Sequence, residues 1–134
     1  MEDSKIQNFI LGLWGVRYQV KEVQRSIAFY TKGLGMTVTR RMEMGSVIEV
    51  PLEFPGGGAS LILQHPKAAG ATLPIRGALS RILLLVPDLK ALEAQLNAAG
   101  YKLKGKINEL AQYKVAVAQL EDPDGNHIEL IQRL

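Results

Sequence analysis

Histidine, the commonest acid–base residue, occurs twice in this sequence, and one of the two lies close to a glutamate near the carboxyl end. His127 and Glu129 alternate along one short segment, so both side chains point to the same face if that segment is a strand. An imidazole and a carboxylate on one face could together polarise a water molecule. His127 and Glu129 are therefore the candidate catalytic pair. The other histidine, His65, precedes Pro66, and both histidines are more typical of surface or rim positions than of a catalytic site.

Two motif-like segments resemble ligand-binding loops but lack the residues that binding needs. Gly56–Gly58 could suggest a phosphate cradle, yet the Lys-Ser/Thr pair and the helix that complete such a loop do not follow it. Asp122–Asn126 could suggest a calcium loop, but its glycine comes too early and Arg133 stands where the loop needs glutamate. Both segments are predicted to be turns.

Composition narrows the class of protein and of partner. The 134 residues contain no cysteine, which excludes disulfides, thiolate ligands and cysteine nucleophiles. Sixteen basic and thirteen acidic residues are dispersed along the chain, whereas nucleic-acid binding favours a basic cluster. The apolar stretch 9–20 is shorter than the roughly 20 residues of a membrane span, and the Met-Glu-Asp start lacks a basic signal region. We expect a cytoplasmic protein without nucleic-acid or membrane partners.

Hydrophobic periodicity predicts two successive βαβββ units. In the first half, period-two alternation predicts a strand at 14–20, and apolar residues at three- and four-residue spacing then predict a helix that ends at Gly33–Gly35. Three further strands are predicted there. They cover 36–42, 46–54 and 59–65. The second half repeats the order with a strand at 79–86, a helix at 88–99 and strands at 102–108, 114–121 and 127–131.

The two halves align with each other in sequence. Val20 corresponds to Val86 at an offset of 66 positions, and Gly58 corresponds to Gly125 at an offset of 67. This spacing predicts an internal repeat. Residues 1–134 are accordingly expected to form one domain, with a first module at about 11–65, a connection at 66–78 and a second module at about 79–132. Each module leaves one sheet face uncovered, so two must curl together or pair with another chain.

Two motifs in this sequence resemble those of the vicinal oxygen chelate superfamily, which includes glyoxalases, bleomycin-resistance proteins and extradiol dioxygenases. The first is Val20–Tyr30, read as VKEVQRSIAFY and followed by Leu34-Gly35-Met36. The second is Glu121–Leu130, read as EDPDGNHIEL. The resemblance extends over residues 13–131. It implies an α+β fold in which two βαβββ modules form an open, cup-shaped barrel, usually in a homodimer that binds a small molecule in the cup.

Enzymes of that superfamily hold a divalent metal in the cup with four inward side chains. The resemblance places those positions at Gly15, Ile62, Arg81 and Glu129. Of these four only Glu129 can ligate a metal, because Gly15 and Ile62 carry no donor atom and arginine offers no lone pair. We therefore expect no metal cofactor.

The residues expected to contact a ligand follow from the same strand register. Arg17 and Gln19 are polar residues on the cup-facing side of the first strand, although exposure at the rim is an equal alternative. Arg81 and Glu129 are expected to form an ion pair across the former metal position, either contacting the ligand or only neutralising buried charge. Tyr18 and Tyr30 are expected in the core.

Three functions remain open from the sequence. The leading hypothesis is a metal-independent binder of an aromatic or amphipathic molecule, with a resistance or sequestration role. The second is an isomerase, lyase or dioxygenase-like enzyme that uses an unexpected metal site or acid–base chemistry from Glu129 and His127. The third is a degenerate module that serves as a partner subunit.

Overall fold

A computed structural model describes residues 14–72 and 82–134, which form two separate β-sheets with two helices. Residues 1–13 and 73–81 lie outside the description. The expected α+β architecture with two unclosed sheets is confirmed. The assignment of the whole chain to one domain stays a prediction.

The first sheet contains the strands of the first half of the chain. They are β1 (Gly15–Gln19), β2 (Thr37–Val38), β3 (Met42–Met44), β4 (Val47–Glu53) and β5 (Ser60–Pro66). Their order is β1-β5-β4-β2, and β3 also pairs with β4. β1 runs parallel to β5 with Arg17 opposite Ile62, and β4 runs antiparallel to β5 with Glu49 opposite Gln64.

The second sheet repeats this plan with the strands β6 (Ile82–Leu85), β7 (Lys104–Leu110), β8 (Val115–Glu121) and β9 (His127–Arg133). Their order is β6-β9-β8-β7. β6 is parallel to β9, and β8 is antiparallel to β9 with Gln119 opposite Glu129. A left-handed residue, Lys114, ends the short 3-10 turn Ala111–Tyr113 between β7 and β8.

Each helix covers one face of a sheet and leaves the opposite face open. α1 (Val23–Ala28) packs on β5, and α2 (Leu89–Ala98) packs on β8 and β9. The side chains between helices and sheets form one continuous apolar core that includes Tyr30, Leu63, Leu96 and Leu130, all fully buried. We call the opposite side of each sheet its helix-distal face. Alternation places on these faces Gly15, Arg17, Gln19, Glu49, Ile62 and Gln64 in the first sheet, and Leu83, Leu85, Gln119, His127 and Glu129 in the second.

Two predicted elements differ from the structure. The strand predicted at 36–42 is broken into β2 and β3. Pro51 of β4 has no N–H to continue the hydrogen-bond ladder, and the three residues between β2 and β3 lie opposite only two residues of β4. The predicted first helix is α-helical only to Ala28 and continues as a π-helical turn, Phe29–Gly33. The two predicted turns are confirmed, with positive φ at Gly57 and Gly125.

None of the helices in residues 14–72 and 82–134 combines the length and the apolar character of a membrane span.

Candidate functional site

A cluster of three polar side chains lies on the helix-distal face of the first sheet. Arg17 of β1 contacts the carboxylate of Glu49 twice, with Nε 2.7 Å from Oε2 and Nη2 donating to Oε1 at 3.2 Å. Gln64 of β5 donates to the same carboxylate, with Nε2 2.9 Å from Oε2. Three N–H groups from two neighbouring strands thus satisfy one carboxylate, a bidentate and charge-assisted arrangement.

Burial differs sharply within this cluster and indicates what each residue can do. The side chain of Glu49 is 6% exposed and that of Arg17 is 50% exposed. Glu49 is therefore held inside the sheet face, and the guanidinium group covers it on the solvent side. The Nη1 group of Arg17 has no partner among the described residues, so it can donate to an oxygen of a bound molecule.

The two first-sheet positions that the resemblance assigns to metal ligands offer no donor side chain. A Cβ atom at Gly15 would lie 2.6 Å from the carbonyl oxygen of Ser60, a distance that forces the backbone to move. Ile62 is 7% exposed and apolar. β5 runs so close to β1 at this point that glycine is the residue that fits, and a side chain reaching for a metal from position 15 has no room.

The second-sheet half of the expected site is described only in part. Arg81 lies outside the described residues, so the expected Arg81–Glu129 ion pair remains a prediction. Glu129 is half-buried and accepts a hydrogen bond from Gln119 Nε2 at 3.1 Å, across the β8–β9 pair. Among residues 14–72 and 82–134, no group of three or more His, Asp or Glu side chains could hold a metal ion.

The two histidines have different surroundings. His127 shares a face with Glu129, as alternation predicts, but its side chain is 51% exposed and its Nδ1 lies 4.0 Å from Glu121 Oε1. A hydrogen bond from Lys104, together with its charge and that of His127, lowers the pKa of Glu121. The expectation of a surface position holds for His127. His65 is partly buried near the end of β5, on its helix-facing side, with Nε2 buried.

The two family motifs meet in the structure and join the two sheets. The β8–β9 turn, which contains Asp122 and Asp124, lies against the end of β1 and against α1. Tyr30 Oη donates to Asp122 Oδ2 at 2.8 Å in the core, and Ser26 Oγ donates to Asp124 Oδ2 at 3.2 Å. Lys21 N, Arg25 Nη2 and Tyr18 Oη also donate to this turn or to the first residue of β9. We call this contact the first junction.

Burial at the first junction keeps both tyrosines neutral. Desolvation, reinforced by the charge of Asp122, raises the pKa of Tyr18 to about 12. The same causes, with the hydrogen bond to Asp122, raise the pKa of Tyr30 far above its ordinary value. The core positions expected for Tyr18 and Tyr30 are confirmed. The residues of these motifs therefore hold the modules together.

Sequence reasoning placed Arg17 on the correct face but missed Glu49 and Gln64. Glu49 alternates with Ile48 and Val50, both buried, and this pattern was the signal that a carboxylate occupies the helix-distal face. Gln19 lies on that face as expected and is exposed.

The fold and the geometry of the site define a class of protein built from two βαβββ modules. Comparison with known protein families identifies that class. The sequence matches the Glyoxalase/Bleomycin resistance protein/Dioxygenase superfamily over residues 12–130. The chain belongs to this superfamily, which confirms the resemblance of its two motifs. No curated protein is similar enough in sequence to count as a match.

Solved structures share the fold over almost the whole chain. A glyoxalase/bleomycin resistance protein/dioxygenase domain from Frankia sp. has a TM-score of 0.77 and 22% identity, covering 93% of each chain. The antibiotic-binding protein TnmS3 from Streptomyces sp. has a TM-score of 0.76 and 23% identity, covering 96% of this chain and 100% of its own. Glyoxalase I from Leishmania major has a TM-score of 0.70 and 26% identity, covering 90% and 85%.

Proposed function

We propose that this protein binds an aromatic or amphipathic small molecule without a metal, on the helix-distal faces of its sheets. The observation that carries the proposal is the Arg17–Glu49–Gln64 cluster. Its buried carboxylate fixes a half-exposed guanidinium group whose remaining N–H groups can donate to a carbonyl, carboxylate or sulfonate oxygen. Arg17 is the ligand contact in this proposal, and Glu49 and Gln64 are its positioning residues.

The absence of metal chemistry is part of the proposal and rests on two residues. The backbone of Ser60 excludes a side chain at Gly15, and Ile62 brings an apolar group to the neighbouring position. Of the four family positions, Glu129 alone carries a ligand-type group, and one carboxylate is too weak for the Zn, Ni or Fe sites of such enzymes.

A role in sequestration or resistance is the finer part of the proposal. TnmS3, which shares the fold, is described as an antibiotic-binding protein. This chain lacks the metal ligands of the superfamily's enzymes but presents a fixed guanidinium group. Such a site is suited to binding a compound and not to converting it. A cytoplasmic location without nucleic-acid or membrane partners belongs to the same proposal and rests on composition.

We also propose that a second copy of the chain completes the binding site. Leu83 and Leu85 on the helix-distal face of β6 are 58% and 61% exposed. Adjacent exposed leucines on a strand that pairs on one side only, within the described residues, are typical of a surface that another subunit covers.

The metal-free proposal is tested by thermal denaturation with Zn²⁺, Ni²⁺, Co²⁺ or Mn²⁺. Any ion that binds only the folded state must raise the melting temperature. We expect no ion to raise it. A clear rise with one ion that disappears in Glu129→Ala would overturn the metal-free part of the proposal.

The ligand site is tested with anilinonaphthalene sulfonate, a fluorescent aromatic anion. We expect Arg17→Met to weaken its binding by about tenfold, because the variant keeps the apolar stem and loses the charge-assisted donor. Arg40→Met removes an equal charge from an exposed position outside the site and should leave binding unchanged. Equal effects of the two variants would show that only net charge matters and would overturn the assignment of Arg17.

An acid–base enzyme is the second candidate, because His127 and Glu129 share a face. It predicts that a compound found to bind is also converted, and that His127→Gln abolishes conversion but not binding. Mass spectrometry of the compound after long incubation distinguishes the two functions.

A further inference from the structure

The internal repeat creates two equivalent contacts between the sheets, and among the described residues hydrogen bonds to the strand-connecting turn close one of them. At the first junction, five positions of the first module donate to the β8–β9 turn or to His127, the first residue of β9. They are Tyr18, Lys21, Arg25, Ser26 and Tyr30. The acceptors are the carboxylates of Asp122 and Asp124 and the carbonyl oxygen of His127.

The equivalent residues of the second module have lost every one of these donors. At the offset of 66 positions, the five counterparts are Leu84, Pro87, Ala91, Leu92 and Leu96. Four are apolar side chains in place of polar groups. The main-chain N–H that Lys21 supplies has no equivalent either, because proline has none.

The β4–β5 turn, which is the equivalent of the β8–β9 turn, also lacks the polar side chains of its counterpart. At the offset of 67 positions, Pro55 and Gly57 of the β4–β5 turn stand where Asp122 and Asp124 stand in the first junction. A turn of proline and glycines brings no side chain large enough to fill the space between itself and α2. We call this contact the second junction.

A cavity of about 820 Å³ lies at the second junction. Its walls include four of the five counterparts (Leu84, Pro87, Ala91 and Leu92) together with Pro55 and Gly57 of the turn. This volume lies within the range of about 300–1,000 Å³ in which proteins bind small molecules. No member of the Arg17–Glu49–Gln64 cluster lines the cavity.

We propose that this cavity is a second binding site and that it takes an uncharged, largely apolar small molecule. The polar side chains at its edge are already engaged. Asp88 accepts from Ala91 N at 3.1 Å as the helix cap, and Gln95 Nε2 donates to the carbonyl of Gly33 at 3.0 Å. The Asp88 carboxylate also disfavours an anion there. This site is separate from the Arg17–Glu49–Gln64 cluster, and two of its wall residues, Leu83 and Leu85, adjoin the surface proposed above for a second copy of the chain.

The test uses N-phenylnaphthylamine, an uncharged apolar fluorescent probe. We expect saturable binding by the wild-type protein and at least about tenfold weaker binding by Ala91→Phe, whose ring occupies the cavity from α2. Gly56→Phe closes the cavity from the opposite wall, at a position with open space around its Cβ and no positive φ. Gly56→Phe should weaken probe binding to the same extent, and it tests the proposal even if Ala91→Phe fails to fold.

Ala94→Phe is the matched control, because Ala94 is exposed on the same helix and does not line the cavity. It should change probe binding by less than about twofold. Arg17→Met should leave binding of the uncharged probe unchanged, because Arg17 belongs to the helix-distal site of the proposed function and does not line the cavity.

Amide chemical-shift mapping locates the probe directly. Changes centred on Gly57, Ala91 and Leu92 support the proposal, whereas changes centred on Arg17 and Gln64 overturn it. Failure of the wild-type protein to bind the probe also overturns it. Weaker probe binding at protein concentrations where the dimer forms would show that a second copy of the chain fills the cavity, and would overturn it as well.

Discussion

Glu49 is a residue whose surroundings determine the chemistry of its neighbour. A carboxylate buried at 6% side-chain exposure is tolerated because Arg17 and Gln64 supply three N–H groups to it. Removing one partner leaves the others unsatisfied, so the cluster stabilises the fold only as a unit. The same bonds restrict the guanidinium group to one orientation, which reduces the entropy that a ligand must overcome on binding.

The sequence contains part of this site. Alternation in β1 predicts that Arg17 faces away from the core, and it does. The pairing with Glu49 joins residues 32 positions apart, and it depends on the register of β4 against β5, which alternation alone does not determine. The role of Glu49 therefore required the structure.

The close approach at Gly15 leads to a prediction about stability. Gly15→Ala should lower the free energy of unfolding by about 1–3 kcal/mol, because its Cβ would lie 2.6 Å from the Ser60 carbonyl oxygen. Urea denaturation measures the change. Gly56→Ala is the control, since nothing lies within 4 Å of a Cβ there. Equal stability of the two variants would show that position 15 has room for a side chain, and would remove one support for the metal-free site.

At the level of elements, the sequence predicted the bounds of the helix that depends on hydrophobic periodicity alone. It failed for the strand whose bounds depend on pairing with another strand. α2 begins one residue after its predicted start and ends one before its predicted end, because Asp88 caps it and Gly100 follows it. The strand predicted at 36–42 is broken because its partner β4 contains Pro51. Such a break becomes visible only when two strands are aligned.

Tyr30, in the π-helical turn that continues α1, donates a hydrogen bond to Asp122 of the β8–β9 turn, and this bond should contribute strongly to stability. Tyr30→Phe should lower the free energy of unfolding by about 1.5–3 kcal/mol, because it removes a buried hydrogen bond to a charged group and leaves Asp122 without that donor. Tyr101→Phe is the matched control, since that ring also packs against Phe29. Urea denaturation should show a smaller loss for the control. A loss for Tyr30→Phe no larger than for Tyr101→Phe would contradict the role of this bond.

The same junction predicts how stability depends on alkaline pH. Folding raises the pKa of Tyr18 from 10.0 to about 12, and that of Tyr30 further, so the folded state favours the neutral phenols. The resulting stability is fully present below pH 10 and is lost progressively as pH rises above it, through about 12 for Tyr18. Unfolding free energies measured from pH 9 upward should fall less steeply in Tyr30→Phe than in the wild type. Identical slopes would show that Tyr30 does not carry this dependence.

At the scale of the whole molecule, the two modules repeat their architecture but not their chemistry. One junction between the sheets is closed by hydrogen bonds to Asp122 and Asp124, and the other is lined with apolar residues and remains open as a cavity. The repeat itself was predicted from the offsets of 66 and 67 positions. The difference between the junctions could be seen only once the contacts of the first had shown which residues close it.

The exposed leucines of β6 lead to the prediction that the protein is a homodimer. Leu83 and Leu85 place adjacent apolar side chains on the helix-distal face of a strand that, among the described residues, pairs only with β9. A stable association should bury about 1,200 Å² or more in total. Sedimentation at micromolar concentration should therefore show a dimer, and Leu83→Glu should convert it to a monomer by placing a charge in the apolar interface. Leu110→Glu, an equal change on β7 at the opposite edge of the second sheet, should remain dimeric. A wild-type monomer would contradict the prediction, and a dimer unaffected by Leu83→Glu would place the interface elsewhere on the molecule.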